Sequence, residues 1–303
     1  STFEETSYLL LFGELPTSVQ LKEFTSKVTQ YRDLPEELVS ILKALPKHTR
    51  PMDVLQMAVS SLGTFYDLEV SPEKVKGKKY DDEYFLNTSA ALIGALGSIV
   101  AAWHRIRNGD EPISSKPDCT YAENFLHILG AEKITPLMTR IMDATLVLHG
   151  EHTINASTFT AMVTSSTLAN ASQVVASAIG SLSGPLHGGA NEKVIAMLQK
   201  IESKEEIRPW LDETLKAKNV VWGMGHREYS VKDPRANILT DMVQELFEER
   251  EGGVTDIFEK AIELEKACEE KLSHKGVYPN VDFYSGILYK EMDIPTDIFT
   301  PIF

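Results

Sequence analysis

"TSAALIGALGSIVAAW", residues 88–103, is the longest apolar run in the chain, and the fold can be inferred outward from it. The run is shorter than the ~20 residues that a membrane span needs. It is also rich in alanine, glycine and serine, whose small side chains let neighbouring helices approach closely. We therefore predict a buried helix in a helical core at this position.

Helical periodicity extends from this run in both directions along the chain. Apolar residues recur at three- and four-residue spacing, which is typical of one face of an amphipathic helix. The periodic segments are 16–31, 35–45, 52–66, 136–149, 191–201, 209–217, 235–251 and 254–274. No convincing run of alternating strand residues accompanies them, so the sequence predicts an all-α protein.

Length and composition indicate an ordinary globular chain of one large domain or two unequal domains. The 303 residues exceed what a single hydrophobic core usually holds, and 43% of them are hydrophobic and 24% charged. The helical segments after about residue 188 are more amphipathic and more acidic than those before it. This shift predicts a second, smaller helical domain.

The charge and the cysteines restrict the classes of partner and site. A formal charge of −14 argues against nucleic acid or an anionic membrane as the main partner, because phosphate backbones need dense lysine and arginine. Cys119 and Cys268 are too few for a disulfide framework and have no C-x-x-C spacing, which indicates a reducing compartment and no zinc site. His149 and His152 could suggest metal ligands, but a packed histidine at a helix end is the preferred interpretation of His149.

Residues that break helices cluster in three loops, and each loop carries a side chain suited to catalysis. "SGPLHGGANE" (183–192) holds His187, "GMGHREYSVKDPRA" (223–236) holds His226 and Arg235, and "YPNVDFYSG" (278–286) holds Asp282. Loops positioned by a helical scaffold commonly carry function, so the chain is a candidate enzyme. The alternatives are a helix stop with a satisfied histidine, a solvated surface loop, and a helix N-terminal charge or cap.

The second of these loops is also the local basic island that an anionic ligand would require in so acidic a chain. Its basic side chains are His226, Arg227, Lys232 and Arg235. Arginine suits a carboxylate ligand because its planar fork can bond both oxygens.

Four motifs in chain order give the sequence a family resemblance. "LHGEHTINASTFTAMV" (148–163), "GPLHGGANE" (184–192), "GMGHREYSVKDPRA" and "NVDFYSGILYKEMDIPTDIFTPIF" (280–303) resemble the citrate synthase family, and the similarity runs through essentially the whole chain. The resemblance implies a multi-helical two-domain fold with the active site in the cleft. Its large domain would comprise residues 1–187 with 295–303 returning to it, and its small domain 188–294.

The resemblance also implies a catalytic role for one residue in each of the three loops. His187 would hold the thioester carbonyl of acetyl-CoA, Asp282 would remove the methyl proton, and His226 would polarise the ketone of oxaloacetate and protonate the new alkoxide. Citryl-CoA would then be hydrolysed to citrate and CoA. No metal and no other cofactor is required by these roles.

Substrate contacts follow from the same resemblance. His152, His226 and Arg235 match positions that bind oxaloacetate. The residues expected to lie along CoA are Val220, Val221, Trp222, Gly223 and Met224. The family further implies a transferase of the tricarboxylic acid cycle that acts as a homodimer or a dimer-based oligomer, and we expect it in the cytoplasm.

Two alternative functions and two departures from the family remain. A 2-methylcitrate synthase would use propionyl-CoA, and one methylene changes the discrimination between acetyl-CoA and propionyl-CoA by only ~1–3 kcal/mol. A noncatalytic assembly subunit with the same fold is the alternative of another class.

The sequence departs from the family at two places. Ser230 stands where many relatives carry a lysine, and family members continue past Phe303 into further substrate arginines. We therefore expect that the sequence lacks both family termini.

Overall fold

The computed structural model describes residues 1–68, 82–226, 229, 231–249 and 254–303. Within these ranges every regular element is a helix, and the only β-type pairing is an isolated bridge between Met224 and Pro279. The prediction of an all-α fold is confirmed. Two residues singled out in the sequence, Arg227 and Ser230, lie outside the described residues.

The chain divides into two compact units, and the first comprises Ser1–Gly188 together with Pro301–Phe303. Its helices are α1 (Phe3–Phe12), α2 (Ser18–Gln30), α3 (Glu36–Ala44), α4 (Pro51–Ser61), α5 (Asp82–Arg107), α6 (Tyr121–Leu129), α7 (Pro136–Leu148), α8 (Ala156–Ser165) and α9 (Ala171–Leu182). Threonine or asparagine side chains cap the N-termini of α1, α2 and α6–α9, each accepting a backbone N–H of the first turn.

Helix α5 is the core of the first unit and contains the apolar run from which the fold was inferred. It packs against α2, α3, α4 and α6, and Ala95, Ile99 and Trp103 are fully buried. By length and composition α5 could cross a membrane, but 61% of its most apolar window is buried inside this unit. A side chain at Gly94 would meet the Val28 carbonyl oxygen at 2.5 Å, so the small residue is what lets α2 lie this close. The prediction of a buried helix is confirmed.

The second unit comprises Gly189–Thr300. Its helices are α10 (Ala190–Gln199), α11 (Ile207–Lys216), α12 (Pro234–Glu249), α13 (Asp256–Leu272), α14 (Val281–Glu291) and the short α15 (Phe299–Ile302), at whose end the chain returns to the first unit. Helix α14 forms the centre of the unit, because α10 and α12 both pack against it. Its side chains Phe283, Ile287 and Leu288 are fully buried.

The boundaries of the units differ in detail from the predicted domains. The first division falls between Gly188 and Gly189, and residues 295–300, which were expected to return to the first domain, belong to the second unit. The physical reason is that the 3-10 helix Thr296–Ile298 packs against α10 and α14, and that Ile298 and Phe299 are fully buried.

Candidate active site

His187 lies in a tight turn between α9 and α10. Its backbone N–H donates to the Gly184 carbonyl oxygen at 3.0 Å, and the N–H of Gly188 donates to the same oxygen at 3.2 Å. Of the two glycines after His187, Gly189 has a φ of +83° and precedes α10 as its N-cap, whereas Gly188 does not adopt a positive φ. The sharp turn of this loop therefore depends on the left-handed conformation of Gly189.

The imidazole of His187 is held by Ser157, in the first turn of α8. The Ser157 backbone N–H donates to His187 Nε2 at 3.2 Å, and Ser157 Oγ lies 2.6 Å from the same nitrogen. A backbone N–H can only donate, so Nε2 is the acceptor and the neutral ring carries its proton on Nδ1. The turn therefore presents an imidazole whose donor atom is defined by the N-terminus of α8.

Sequence reasoning did not single out Ser157, although it lies within the quoted segment 148–163. A local signal was present, because Asn155 caps α8 by accepting the N–H of Thr158 at 2.9 Å. Ser157 is the second residue of this helix, where the backbone N–H has no partner within the helix. The contact of its N–H and hydroxyl with an imidazole thirty residues later depends on the tertiary structure and could not be predicted from the local sequence.

His149 and His152 belong to the segment that joins α7 to α8. His149 caps the C-terminus of α7, where its Nδ1 donates to the Thr145 carbonyl oxygen at 2.6 Å and its ring packs on Phe303 with centroids 3.9 Å apart. The interpretation of His149 as a packed histidine at a helix end is confirmed. His152 is partly exposed and precedes Thr153, a β-branched residue with a φ of +60°. Such a conformation costs ~1–3 kcal/mol, and strained residues of this kind cluster at functional sites.

In the second unit, three hydrogen bonds join the loop before His226 to the start of α14. Gly225 N donates to Tyr278 O at 2.7 Å and Asn280 N donates to Gly223 O at 2.9 Å, and these two bonds form the antiparallel bridge between Met224 and Pro279. In the third, Asn280 Nδ2 donates to Gly225 O at 2.9 Å. The backbone beside His226 is thus fixed against the N-terminus of the helix that carries Asp282.

The segment expected to lie along CoA, Val220–Met224, is partly buried in the second unit. Val220 is 63% exposed, whereas Val221 is buried, and Lys193 Nζ lies 4.1 Å from the centroid of the Trp222 ring. Gly223 has a φ of +79°, and a Cβ there would meet Val194 Cγ2 at 2.8 Å and Phe283 Cα at 3.0 Å. The missing side chain of Gly223 therefore allows this segment to pack closely against α10 and α14.

Asp282 lies in the first turn of α14 and is partly exposed. Its backbone N–H donates to Asn280 Oδ1 at 3.0 Å, so the helix cap is Asn280 and not Asp282. Burial raises the pKa of the Asp282 carboxyl to about 6; the charge of Arg235 lowers that pKa and the charge of Asp233 raises it. The carboxylate is ionised above pH 6 and is a stronger base than an ordinary aspartate.

Arg235 is the other side chain tied to this region, through Asp233. The Arg235 guanidinium is 13% exposed and forms an ion pair of 2.8 Å with Asp233, whose side chain is 1% exposed. Burial raises the pKa of Asp233, but the hydrogen bonds from Arg235 and from the Val281 N–H outweigh it and leave the pKa below its usual value. Asp233 was not among the predicted site residues.

The basic island is thus partly neutralised in the structure. Besides the Asp233–Arg235 pair, Lys232 Nζ lies 2.5 Å from Glu265 of α13. The ring of His226 contacts that of Tyr229, with centroids 4.7 Å apart. In the part of the chain that the structure describes, no group of three or more His, Cys, Asp or Glu residues could hold a metal ion.

The structure distributes the predicted residues over the two units. His152, His187 and the new residue Ser157 lie in the first unit, around the N-terminus of α8. His226, Arg235 and Asp282 lie in the second unit, joined through Asn280 and Asp233. The first group provides an imidazole donor, and the second provides a carboxylate base, an imidazole and a guanidinium. A carboxylate base can abstract a proton, and imidazole and guanidinium groups can donate hydrogen bonds to carbonyl and carboxylate oxygens.

Comparison with known proteins places these features in a family context. The family model "Citrate synthase, C-terminal domain" matches residues 1–303. A citrate synthase of Synechocystis sp. is 44% identical over 303 residues, covering 100% of this chain and 74% of the relative. A 2-methylcitrate synthase of Shewanella oneidensis is 36% identical over 305 residues, covering 100% of this chain and 77% of the relative.

Solved structures give the same result. The crystal structure of citrate synthase from Thermotoga maritima matches with a TM-score of 0.84 at 35% identity, covering 100% of this chain and 76% of that one. A ternary complex of carboxymethyl coenzyme A and oxaloacetate with citrate synthase from Thermoplasma acidophilum matches with a TM-score of 0.87 at 28% identity, covering 100% of this chain and 77% of that one.

Proposed function

The chain belongs to the citrate synthase family and is a transferase that condenses acetyl-CoA with oxaloacetate, and we propose that His187, His226 and Asp282 perform its chemistry. The observation that carries the proposal is the environment of Asp282, whose pKa is raised to about 6 at the start of α14. A base with this pKa is ionised at neutral pH and still takes a proton more readily than an exposed carboxylate does.

The first step forms the nucleophile. Asp282 takes a proton from the methyl group of acetyl-CoA, the C–H electron pair moves into the carbonyl, and negative charge develops on the thioester oxygen. His187 Nδ1–H donates a hydrogen bond to that oxygen. The Ser157 contacts support this role, because they occupy Nε2 and hold the proton on Nδ1. A donor of this kind can be worth ~3 kcal/mol of the barrier.

The second step forms the carbon–carbon bond. The enolate carbon attacks the ketone of oxaloacetate, and His226 protonates the alkoxide as the carbonyl bond opens, which gives citryl-CoA. Arg235 binds an oxaloacetate carboxylate, and His152 and His226 supply further donors. Water then cleaves the thioester, so that CoA leaves as the thiol and citrate is released. The segment Val220–Met224 lies along CoA, and no metal or other cofactor takes part.

Homodimerisation is the partner proposal that the first unit supports. Helix α8 has no buried residue, and one apolar group on and beside it is strongly exposed. Ile154, Phe159, Met162 and Val163 are 67%, 61%, 52% and 53% exposed. Large apolar side chains exposed together in one short segment are typical of interaction sites, and a second copy of the chain is the partner we propose. We place the enzyme in the cytoplasm, in the tricarboxylic acid cycle.

One assay tests the function and its alternatives. CoA release is measured with a thiol-reactive chromophore, with oxaloacetate present and absent, first with acetyl-CoA and then with propionyl-CoA. We expect release that depends on oxaloacetate and a higher kcat/KM for acetyl-CoA. A preference for propionyl-CoA would make the chain a 2-methylcitrate synthase, and binding of both substrates without release would make it a noncatalytic member of the family.

A further inference from the structure

Asp233 connects the two residues to which the proposed function gives substrate binding and proton abstraction. Its Oδ1 accepts the backbone N–H and Nε–H of Arg235, both at 3.0 Å. Its Oδ2 accepts Nη2–H of Arg235 at 2.8 Å and the backbone N–H of Val281 at 3.2 Å. Val281 is the first residue of α14 and the neighbour of Asp282. One carboxylate therefore binds α12 on one side and α14 on the other.

This arrangement restricts groups that would otherwise move independently. A guanidinium at the end of a flexible side chain loses most of its torsional freedom when a planar carboxylate holds it through two nitrogens. The backbone bonds to Arg235 and Val281 satisfy donors in the first turns of two helices, where no intrahelical partner exists. Because Asp233 is itself 1% exposed, it is a fixed reference point for both.

We infer that Asp233 is a positioning residue that holds Arg235 and the first turn of α14 in one frame, and so sets the oxaloacetate carboxylate relative to the base Asp282. The inference rests on the proposed function, from which it takes the roles of Arg235 and Asp282. Asp233 touches neither substrate; it acts through Arg235 and the backbone of Val281.

The variant Asp233→Asn tests this inference with little change in shape. The amide keeps one acceptor oxygen and turns an NH₂ group toward donors, so the bonds on one side of the carboxylate are lost. We expect oxaloacetate to bind roughly 10- to 100-fold more weakly by calorimetry, because a misplaced binding group costs this much. Asp241→Asn is the matched control, since it removes one carboxylate charge from an exposed position on α12.

The pH dependence of kcat separates positioning from general damage to the fold. Within the described part of the chain, the charge of Asp233 raises the Asp282 pKa and the charge of Arg235 lowers it. Removing the carboxylate charge at 233 while Arg235 stays near Asp282 is therefore expected to move the acid-side midpoint of kcat to lower pH. Displacement of Arg235 as well would move the midpoint to higher pH, and either shift supports the inference. A variant that is merely less stable would lose amplitude at an unchanged midpoint, and Asp241→Asn is expected to change neither.

A second variant tests the α14 contact by itself and guards against misfolding of Asp233→Asn. Val281→Pro removes the N–H that donates to Asp233, at the first position of a helix, where proline is well tolerated. The contact with Arg235 remains. We expect kcat to fall several-fold while the oxaloacetate Kd stays within about twofold of the wild-type value, because only the position of the base Asp282 is less restricted. Val281→Ala is the control for Val281→Pro, because it shortens the same buried side chain and keeps the N–H.

The benchmark Arg235→Gln distinguishes failure of the inference from failure of the proposed function. If Arg235→Gln binds oxaloacetate as tightly as the wild type does, the substrate role of Arg235 is wrong and the proposed function fails at that point. If Arg235→Gln binds weakly while Asp233→Asn keeps the wild-type Kd and pH midpoint, the positioning role of Asp233 is refuted and the proposed function stands. An unchanged kcat in Val281→Pro would refute the proposed role of the hydrogen bond between Asp233 and α14 in positioning Asp282.

Discussion

Removal of the Ser157 hydroxyl is expected to impair the proposed oxyanion donor without removing it. In Ser157→Ala the contact of 2.6 Å between Oγ and His187 Nε2 is lost, while the backbone N–H at 3.2 Å remains on the same nitrogen. The proton of the neutral ring therefore stays on Nδ1, and only the orientation of the ring is less restricted. The variant tests positioning of the imidazole and leaves its chemistry intact.

The size of the effect follows from these two bonds. A side-chain hydrogen bond contributes a net ~0.5–1.5 kcal/mol, so its loss is expected to lower kcat roughly 2- to 12-fold. Truncation of the imidazole in His187→Ala removes the donor altogether and is expected to cost roughly 10²–10³-fold. The KM for oxaloacetate should be unchanged in Ser157→Ala, since Ser157 has no proposed contact with that substrate.

Steady-state CoA release with saturating oxaloacetate gives kcat for the wild type, Ser157→Ala and His187→Ala. Ser165→Ala is the matched control, because Ser165 lies on the same helix and its hydroxyl donates only to the Met162 carbonyl oxygen at 3.1 Å. The ¹⁵N shifts of the His187 ring report independently whether Nδ1 carries the proton. A Ser157→Ala enzyme with wild-type kcat, or a ring protonated on Nε2, would refute the reasoning.

Four further expectations follow from the site and the fold. Asp282→Asn should lower kcat by roughly 10²–10⁴-fold while oxaloacetate affinity stays nearly constant, because an amide cannot take the methyl proton; a variant above about a tenth of wild-type turnover would contradict this. The kcat/KM for acetyl-CoA should fall below pH 6 as Asp282 is protonated, and a kcat/KM that is constant between pH 5 and 7 would exclude Asp282 as the base. The same raised pKa means that ionisation of Asp282 destabilises the folded state as pH rises through about 6. Gly223→Ala should lower the urea midpoint more than Gly109→Ala does, because both glycines have positive φ but only Gly223 lacks room for a Cβ; equal shifts would count against the close packing. Phe159→Glu should convert the proposed dimer to monomer in sedimentation experiments, and a dimer that persists in this variant would place the interface elsewhere.

Amphipathic helices were the features most accessible from the sequence. The predicted periodic segments correspond to α2, α3, α4, α7, α10, α11, α12 and α13, and the apolar run 88–103 lies within α5. These helices bury one face in their own unit, and a buried face must repeat with the helical period. The start of α14 also carries a local signal, because Asn280 is an asparagine cap.

Periodicity did not predict α1, α6, α8 or α9. Helix α8 buries no residue in its own unit, so its apolar side chains follow no pattern set by that core. Helix α9 is built largely of alanine, serine and valine, and its buried residues include Ser172 and Ala176. Small side chains pack well at close approach but give little contrast between a buried and an exposed face, which is the contrast that periodicity detects.

The sequence by itself determined the helical class of the protein and, through its four motifs, its family. The same motifs supplied the candidate site residues His152, His187, His226, Arg235 and Asp282. Helix periodicity, caps and glycine-rich turns depend on residues that are close together in the sequence, so local physical chemistry is sufficient to predict them. Only the tertiary structure decided that Ser157 holds His187 and that Asp233 joins Arg235 to α14. It also decided that Gly223 is needed for packing and that the pKa of Asp282 is raised. Each of these depends on groups that are distant along the chain and meet only when the helices pack, because desolvation and hydrogen-bond geometry are properties of the packed unit and not of the segment.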